Sequence, residues 1–331
     1  MPSVHFLNVA PGDCTIIRHG SGHVTMIDIC DGNITPEIKK TQLAEALRTK
    51  PRGNFRMCAY PTNPIEYAKQ LGIKSIMRFV LTHPDMDHMD GLNALLDEIG
   101  ITNFWDTGVM REPPEFGEQS PYDEADWDRY LKLRDKKEPN VTSLTRLAGS
   151  RFKFANLGED GKAGGDGLYI LAPDSDLVAA ASQGNDINDG SFVLLYRSSG
   201  GRVLIPGDAH DATWEYVLKH YESDVANCSV VIAPHHGRDS DRSFDFLDII
   251  KPKLTLFGCA PSQHLAYDAW NRRKLEFITS NQAGNIVLEI ADGAIDVYVE
   301  NESFATAKGA DASIKNGQGY VGLWNIPETP E

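Results

Sequence analysis

Long apolar runs are missing from this 331-residue chain. No uninterrupted stretch approaches the roughly 20 residues needed to cross a bilayer, and the opening MPSVHFLNVAPGD has neither the basic segment nor the apolar stretch of a secretion signal. No membrane association is expected, and the chain reads as cytoplasmic. Cysteine is scarce: Cys14, Cys30, Cys58, Cys228 and Cys259 are odd in number, scattered and never arranged as CxxC. Neither a disulfide framework nor a thiolate zinc knuckle is therefore expected, and the five read as small buried apolar residues. Basic charge is also short, with 32 Lys and Arg against 47 Asp and Glu and a net charge of −15. That surplus repels a phosphate backbone, so broad binding to duplex nucleic acid is not expected. A local basic patch or a bound metal still suffices for a short phosphorylated substrate.

What is present is an ordinary globular composition, 41% apolar and 24% charged, long enough for a sizeable core. VHFLNV, CTIIRHG and HVTMIDI read as a three-strand meander broken by the Pro11-Gly12-Asp13 turn. TPEIKKTQLAEALRTK has helical spacing, NPIEYAKQLG reads as a helix, and IMRFVLT is an apolar strand ending at His83. DGLNALLDEIG then repeats apolar residues at helical spacing, and ITNFWDTG is the next strand. The charged, Pro-rich and Gly-rich span at about 106–165 reads as a lid-like insertion over the site. Beyond it a strand and helix rhythm resumes through RVLIPGD, CSVVIAPHHG, KLTLFGC, EFITS and NIVLEI. A domain over 1–300 with a loosely attached extension at 301–331 is the expected organisation.

The chemistry concentrates at His83-Pro84-Asp85-Met86-Asp87-His88, four metal-ligand side chains within six positions between an apolar strand and a helix. Imidazole and carboxylate suit zinc, manganese or iron. A plain helix-capping turn needs one carboxylate at most and no histidine, so capping alone does not account for the run. Two further apolar strands end in ligand-type residues, Asp208 after RVLIPG and His235-His236 after SVVIAP. A lone Gly-Asp is often a simple turn, yet three such strand ends in one chain point to a shared centre. Asp208 can bridge ions, and either of the paired histidines can ligate. Asp13 reads equally as a turn carboxylate or a group near the site. His5, His19, His23 and His220 show no ligand spacing and read as packing or surface residues.

These residues resemble the metallo-β-lactamase superfamily and, within it, the soluble hydrolase domain of the competence-protein ComEC-like group. The likeness is carried by Phe6-Leu7-Asn8-Val9 with Gly12-Asp13, Met26-Ile27-Asp28, the His83–His88 run with Met89-Asp90-Gly91-Leu92, Ser191–Leu195, Ile205–Asp208 and Pro234–Gly237. It implies an α/β (α+β) fold, a four-layer αββα sandwich. It implies His83 and Asp85 on a first ion, Asp87 and His88 on a second, Asp208 bridging, His236 or His235 completing the second, and Asp28 supporting from behind. His264 lies where resembling domains carry a site-facing histidine and reads equally as a catalytic candidate with Asp87 or as an exposed loop histidine. The chain departs twice from the usual pattern: Asp85 stands where histidine is common, and the first-site histidine before Asp208 has no counterpart in Gly184–Ser191, leaving Asp189 or Asn188 as its substitute or a weakly bound first ion.

The resemblance implies a metallo-hydrolase holding one or two Zn²⁺, with Mn²⁺ as the alternative, and acting through a metal-activated hydroxide. A phosphodiester in a small or single-stranded nucleotide is the expected substrate. The alternatives are a carbonyl substrate such as a lactone, thioester or β-lactam, or a non-catalytic metal-binding module of the same fold.

Overall fold

The computed structural model describes residues 1–9, 11–34, 55–118, 120–184, 186–260 and 264–328. The helix expected over 35–50 lies outside them. Nine strands form the first sheet: β1 (Ser3–Phe6), β2 (Thr15–Arg18), β3 (Val24–Ile27), β4 (Ile76–Val80), β5 (Ile101–Asp106), β6 (Thr142–Thr145), β13 (Ile286–Ala291), β14 (Ala294–Val299) and β15 (Val321–Pro327). Its order is β15-β14-β13-β1-β2-β3-β4-β5-β6. The second sheet has six, β7 (Leu168–Ala172), β8 (Val193–Ser198), β9 (Gly201–Ile205), β10 (Val230–Ile232), β11 (Leu254–Phe257) and β12 (Phe277–Thr279), ordered β12-β11-β10-β9-β8-β7.

Alternation along the strands builds the layers. Ile17, Ile27, Val80 and Trp105 from the first sheet meet Ile170, Leu194, Val203, Ile205, Ile232 and Leu256 from the second in one central core. Their sequence neighbours Ile16, Met26, Phe79 and Phe104 point outward into a second core. There α1 (Pro64–Gln70), α2 (Leu92–Glu98) and α3 (Glu124–Arg134) cover the first sheet. On the far face Leu195, Leu204 and Val231 pack with Trp214, Val217, Leu247 and Trp270. Those come from α5 (Asp211–Val225), α6 (Leu247–Ile250) and α7 (Tyr267–Arg273), which follow α4 (Ser175–Ser182). Each large side chain so buried stabilises the fold by about 1.5–3 kcal/mol. The result is the expected αββα sandwich, and among the described residues no helix is long and apolar enough to cross a membrane.

Three expectations are corrected. The span at 106–165 is not a lid throughout: α3 buries Trp127, Tyr130 and Leu133 on the first sheet's outer face, and β6 pairs in parallel with β5. Nor is the stretch from 301 a loose extension, because Phe304 enters the central core and β15 pairs with β14 as the sheet's edge. Finally, Cys58 and Cys259 are disulfide-bonded across a separation of 201 residues, while Cys14, Cys30 and Cys228 are buried and free.

Candidate metal centre

Parallel strands β3 to β6 and β9 to β12 point their C-terminal ends at one edge of the sandwich, where loops of open α/β sheets gather functional groups. Past β4 the chain reaches Thr82 and His83, then makes one 3₁₀ turn over Met86–His88 capped by Asp85, whose carboxylate accepts from Met86 N at 2.9 Å. Backbone bonds lace this loop to its neighbours, Ile29 N to His88 O at 3.0 Å and Phe192 N to Thr82 O at 2.9 Å, and His235 N to Gly207 O at 3.0 Å ties together the loops after β9 and β10. Gly12, at φ 141°, lies so close that a Cβ there would sit 2.2 Å from Asp87 O, which explains the glycine and brings Asp13 against the loop. Asp28, His235 and His236 all hold positive φ (56°, 53° and 56°), a conformation rare for side-chain-bearing residues and concentrated at functional sites.

The donors converge. His88 Nε2 lies 3.3 Å from Asp208 Oδ1 and 3.9 Å from Asp87 Oδ1, and His236 Nε2 lies 3.3 Å from Asp87 Oδ2 and 3.7 Å from Asp208 Oδ2. His83 Nε2 stands 4.0 Å from Asp208 Oδ2. Behind them the other ring nitrogens are held by carboxylates. His88 Nδ1 is 2.8 Å from Asp28 Oδ2, and His236 Nδ1 is 3.1 Å from Asp13 Oδ2. Asp28 is fixed in turn, accepting from Thr82 N and Thr82 Oγ1 at 2.7 Å each. Carboxylate-backed imidazoles of this kind are the usual second layer of a metal site.

A divalent cation fits what the side chains lack. His83 Nε2, His88 Nε2, His236 Nε2 and Asp208 Oδ1 are buried without a hydrogen-bond partner, and such groups are costly unless something else satisfies them. The carboxylates also demand positive charge. Burial by itself depresses His88, yet Asp208, Asp28 and Asp87 hold its ring well above the usual histidine range. His236 is likewise pushed down by burial but carried up to about 10 by Asp208 and Asp13. Burial raises Asp87 and Asp208, but the adjacent histidines keep both below the usual carboxylate range. His83 is lowered, first by burial and then by His88.

The model of the metallo-beta-lactamase superfamily matches residues 7–213. The chain belongs to that superfamily. Solved structures similar to it include a metallo hydrolase from the hyperthermophilic archaeon Ignicoccus hospitalis, 13% identical and covering 87% of this chain and 100% of that one at a TM-score of 0.46. A metal-dependent hydrolase of the beta-lactamase superfamily is 15% identical over 88% of this chain and 100% of its own, with a TM-score of 0.47. A diphosphatase from the PhnP family is 14% identical over 88% and 99%, at 0.42. No curated protein matches the chain. Metallo-beta-lactamase superfamily members are metal-dependent hydrolases that bind divalent metals, usually zinc.

Within this superfamily centre the structure brings together His83, Asp87, His88, Asp208 and His236, with Asp28 and Asp13 behind them. The other expected ligands have further contacts of their own. Asp85 is paired with Arg111 at 2.7 Å. Asp189 accepts from Thr213 N at 2.9 Å and Thr213 Oγ1 at 3.0 Å, anchoring the start of α5. His235 Nε2 is 3.6 Å from Asp208 Oδ2, but its Nδ1 meets His210 Nε2 at 2.8 Å and Ser240 Oγ at 3.2 Å. His264 is exposed, with its carbonyl accepting from Asp239 N at 2.8 Å, and it belongs to none of the donor groups. Sequence reasoning missed Thr82, which braces Asp28, and His210, which links Asp186 to His235. The short spacing of His210 after Asp208 was the available signal.

Proposed function

We propose that this chain is a metal-dependent phosphodiesterase-type hydrolase acting on a small or single-stranded nucleotide substrate, with Zn²⁺ or Mn²⁺ as cofactor. The observation that carries the reading is the convergence of buried, unpartnered imidazole and carboxylate atoms at the strand ends. His83, Asp87, His88, Asp208 and His236 would hold the cation. When bound, it supplies Lewis acidity that acidifies water and offsets charge developing on a substrate oxygen.

The side chains divide the remaining work. Asp87 is the most open of the donors, with 20% of its side chain exposed against 0% for His88 and 4% for Asp208, so it faces and orients the attacking water. His235, 16% exposed beside Asp208 and braced from behind by His210, offers its Nε2 edge to a phosphoryl or leaving-group oxygen. Asp28 and Asp13 hold His88 and His236 in register. Asp85 in the His83–His88 run supports the ComEC-like placement and, by analogy, the phosphodiester substrate. The cytoplasmic expectation meets a counterweight in the Cys58–Cys259 bond, which reducing compartments disfavour.

Bis-p-nitrophenyl phosphate assayed beside chromogenic ester, thioester and lactam substrates tests the reading. Phosphodiester turnover should vanish on chelation, return with Zn²⁺ or Mn²⁺, and be abolished in Asp87→Ala while cooperative thermal unfolding is retained. Turnover confined to the carbonyl substrates would move the assignment to carbon, and no metal-stimulated turnover at all would leave a binding module.

A further inference from the structure

Arginines near the centre are held in two ways. Arg242, under the loops that follow β9 and β10, spends both terminal nitrogens on backbone carbonyls: Nη1 donates to Ala209 O at 2.8 Å, and Nη2 to Pro234 O at 2.6 Å and Arg238 O at 3.1 Å. It fastens those loops. Arg111, in the segment after β5, is held through one nitrogen only. Its Nη1 lies 2.7 Å from Asp85 Oδ1 and donates to Pro84 O at 3.3 Å, while Nε and Nη2 have no partner among the described residues and are not sealed from solvent. The Nε and Nη2 edge of a guanidinium is the fork that takes two oxygens of a phosphate side by side.

The surroundings fix where that fork sits. Met110 N donates to Ser182 Oγ of α4 at 2.9 Å, and Val109 packs so tightly on Gly190, just before β8, that a Cβ there would lie 2.4 Å from Val109 Cγ2. Residues 109–111 are thus pinned to α4, to the approach to β8 and to the ligand loop, which makes them a preorganised rim. Pro84 and Asp85, which Arg111 touches, stand between the donors His83 and Asp87. The Arg111–Asp85 pair itself is partly open, with side-chain exposures of 29% and 32%, and such pairs add little stability.

We propose that Arg111 is a specificity-determining residue of this centre: its open edge binds a non-scissile phosphate, selecting nucleotides that carry a second phosphate beside the bond to be cut. This rests on the metal-hydrolase reading above and narrows its substrate class.

The test uses the metal-loaded full chain and the p-nitrophenyl ester of thymidine 5′-phosphate, with and without a 3′-phosphate. The wild type should show a kcat/KM about tenfold or more higher with the 3′-phosphate, the gain lying in KM, as a charge-assisted pair at a partly open site allows. Arg111→Gln should bring that ratio close to one, with metal content and thermal unfolding as in the wild type. Arg111→Lys, which keeps the charge without the fork, should fall between. Calorimetric binding of thymidine 3′,5′-bisphosphate against thymidine 5′-phosphate makes the same comparison without turnover. Equal kcat/KM in the wild type, or a preference that survives Arg111→Gln, would overturn the proposal while the hydrolase reading stands. An Arg111→Lys protein equal to wild type would overturn the forked contact. An Arg111-dependent preference in binding, with neither ester turned over, would keep the phosphate contact and remove the hydrolase. Equal binding without turnover would remove both.

Discussion

Two buried polar clusters lie along β4, one on the strand and one just past its end, and they are built from the same residue types to opposite effect. On the strand, Arg78 pairs with Asp166 and donates to Thr25 Oγ1 at 3.1 Å and Phe154 O at 2.7 Å. His19 meets Asp166 O at 3.0 Å and Thr25 Oγ1 at 2.8 Å, while Ser21 donates to Asp166 at 2.6 Å and His23 approaches it at 2.9 Å. Past the strand's end, His83, His88, His236 and Asp208 leave buried donor and acceptor atoms with no partner. The satisfied cluster joins β2, β3, β4 and the approach to β7. The unsatisfied one is arranged for something the chain does not itself contain. Composition alone does not separate a staple from a site; the count of unmet polar atoms does.

The sharpest way to break this contrast is Asp208→Ala. It removes the carboxylate common to the donors of both sheets, so retained metal should fall to near zero and turnover by about 10³-fold or more. Metal analysis and the phosphodiester assay read this directly. A variant that kept its cation would show that the donors do not act as one centre.

The site was the more legible of the two clusters in the sequence, because its ligands sit where apolar strands stop: His83 after β4, Asp208 after β9, His235 and His236 after β10. An apolar run ending in an imidazole or carboxylate is a local pattern. The layer order was legible for the same reason, since alternation assigns each strand residue a face. What could not be read were contacts made by docking distant segments. Asp85 pairs with Arg111, a residue of a Pro-rich stretch that resembles a lid. Asp189 accepts from Thr213 N in the first turn of α5, a bond between segments 24 residues apart. The Cys58–Cys259 bond spans 201 residues, so scattered cysteines gave no sign of it. The pairing of β15 rests on Val321 and Ile326 alone as buried positions, too sparse an alternation to announce a strand.

A second break comes from the satisfied cluster. Arg78→Met leaves Asp166 buried without its cation and should cost about 3–5 kcal/mol of unfolding free energy, with metal stoichiometry unchanged. Adding Asp166→Leu should recover most of that loss, because an apolar pair of similar volume replaces a buried ion pair at little cost. Acid should show the same distinction. Burial raises Asp166, but Ser21, Arg78 and His19 hold its carboxyl below its ordinary value of 3.8. The stability it contributes is complete above that value and lost as pH falls through the lower folded one. The double variant should therefore unfold in acid with a shallower pH dependence than the wild type. Loss of bound metal in Arg78→Met, with stability intact, would reverse the roles given to the two clusters.

The smallest effects should come from the two carboxylates behind the histidines, and they sharpen the comparison because one resembles each cluster. Asp28 is satisfied on every side, by Thr82 N, Thr82 Oγ1 and His88 Nδ1 at 2.7, 2.7 and 2.8 Å. Asp13 faces His236 Nδ1 at 3.1 Å and leaves its Oδ1 buried without a partner. Replacing either by Asn weakens the support behind a ligand, worth about 10–100-fold in metal affinity. Asp28→Asn should fall at the upper end, because it also unseats Thr82 at the root of the His83 loop, and should lower thermal stability as well. Asp13→Asn should lower cation affinity with little change in stability, since the atom it alters was already unmet. Chelator competition and thermal unfolding on the two variants separate these outcomes. Equal stability losses with unchanged affinity would mean that both carboxylates belong with the staple and that the site begins only at the donors themselves.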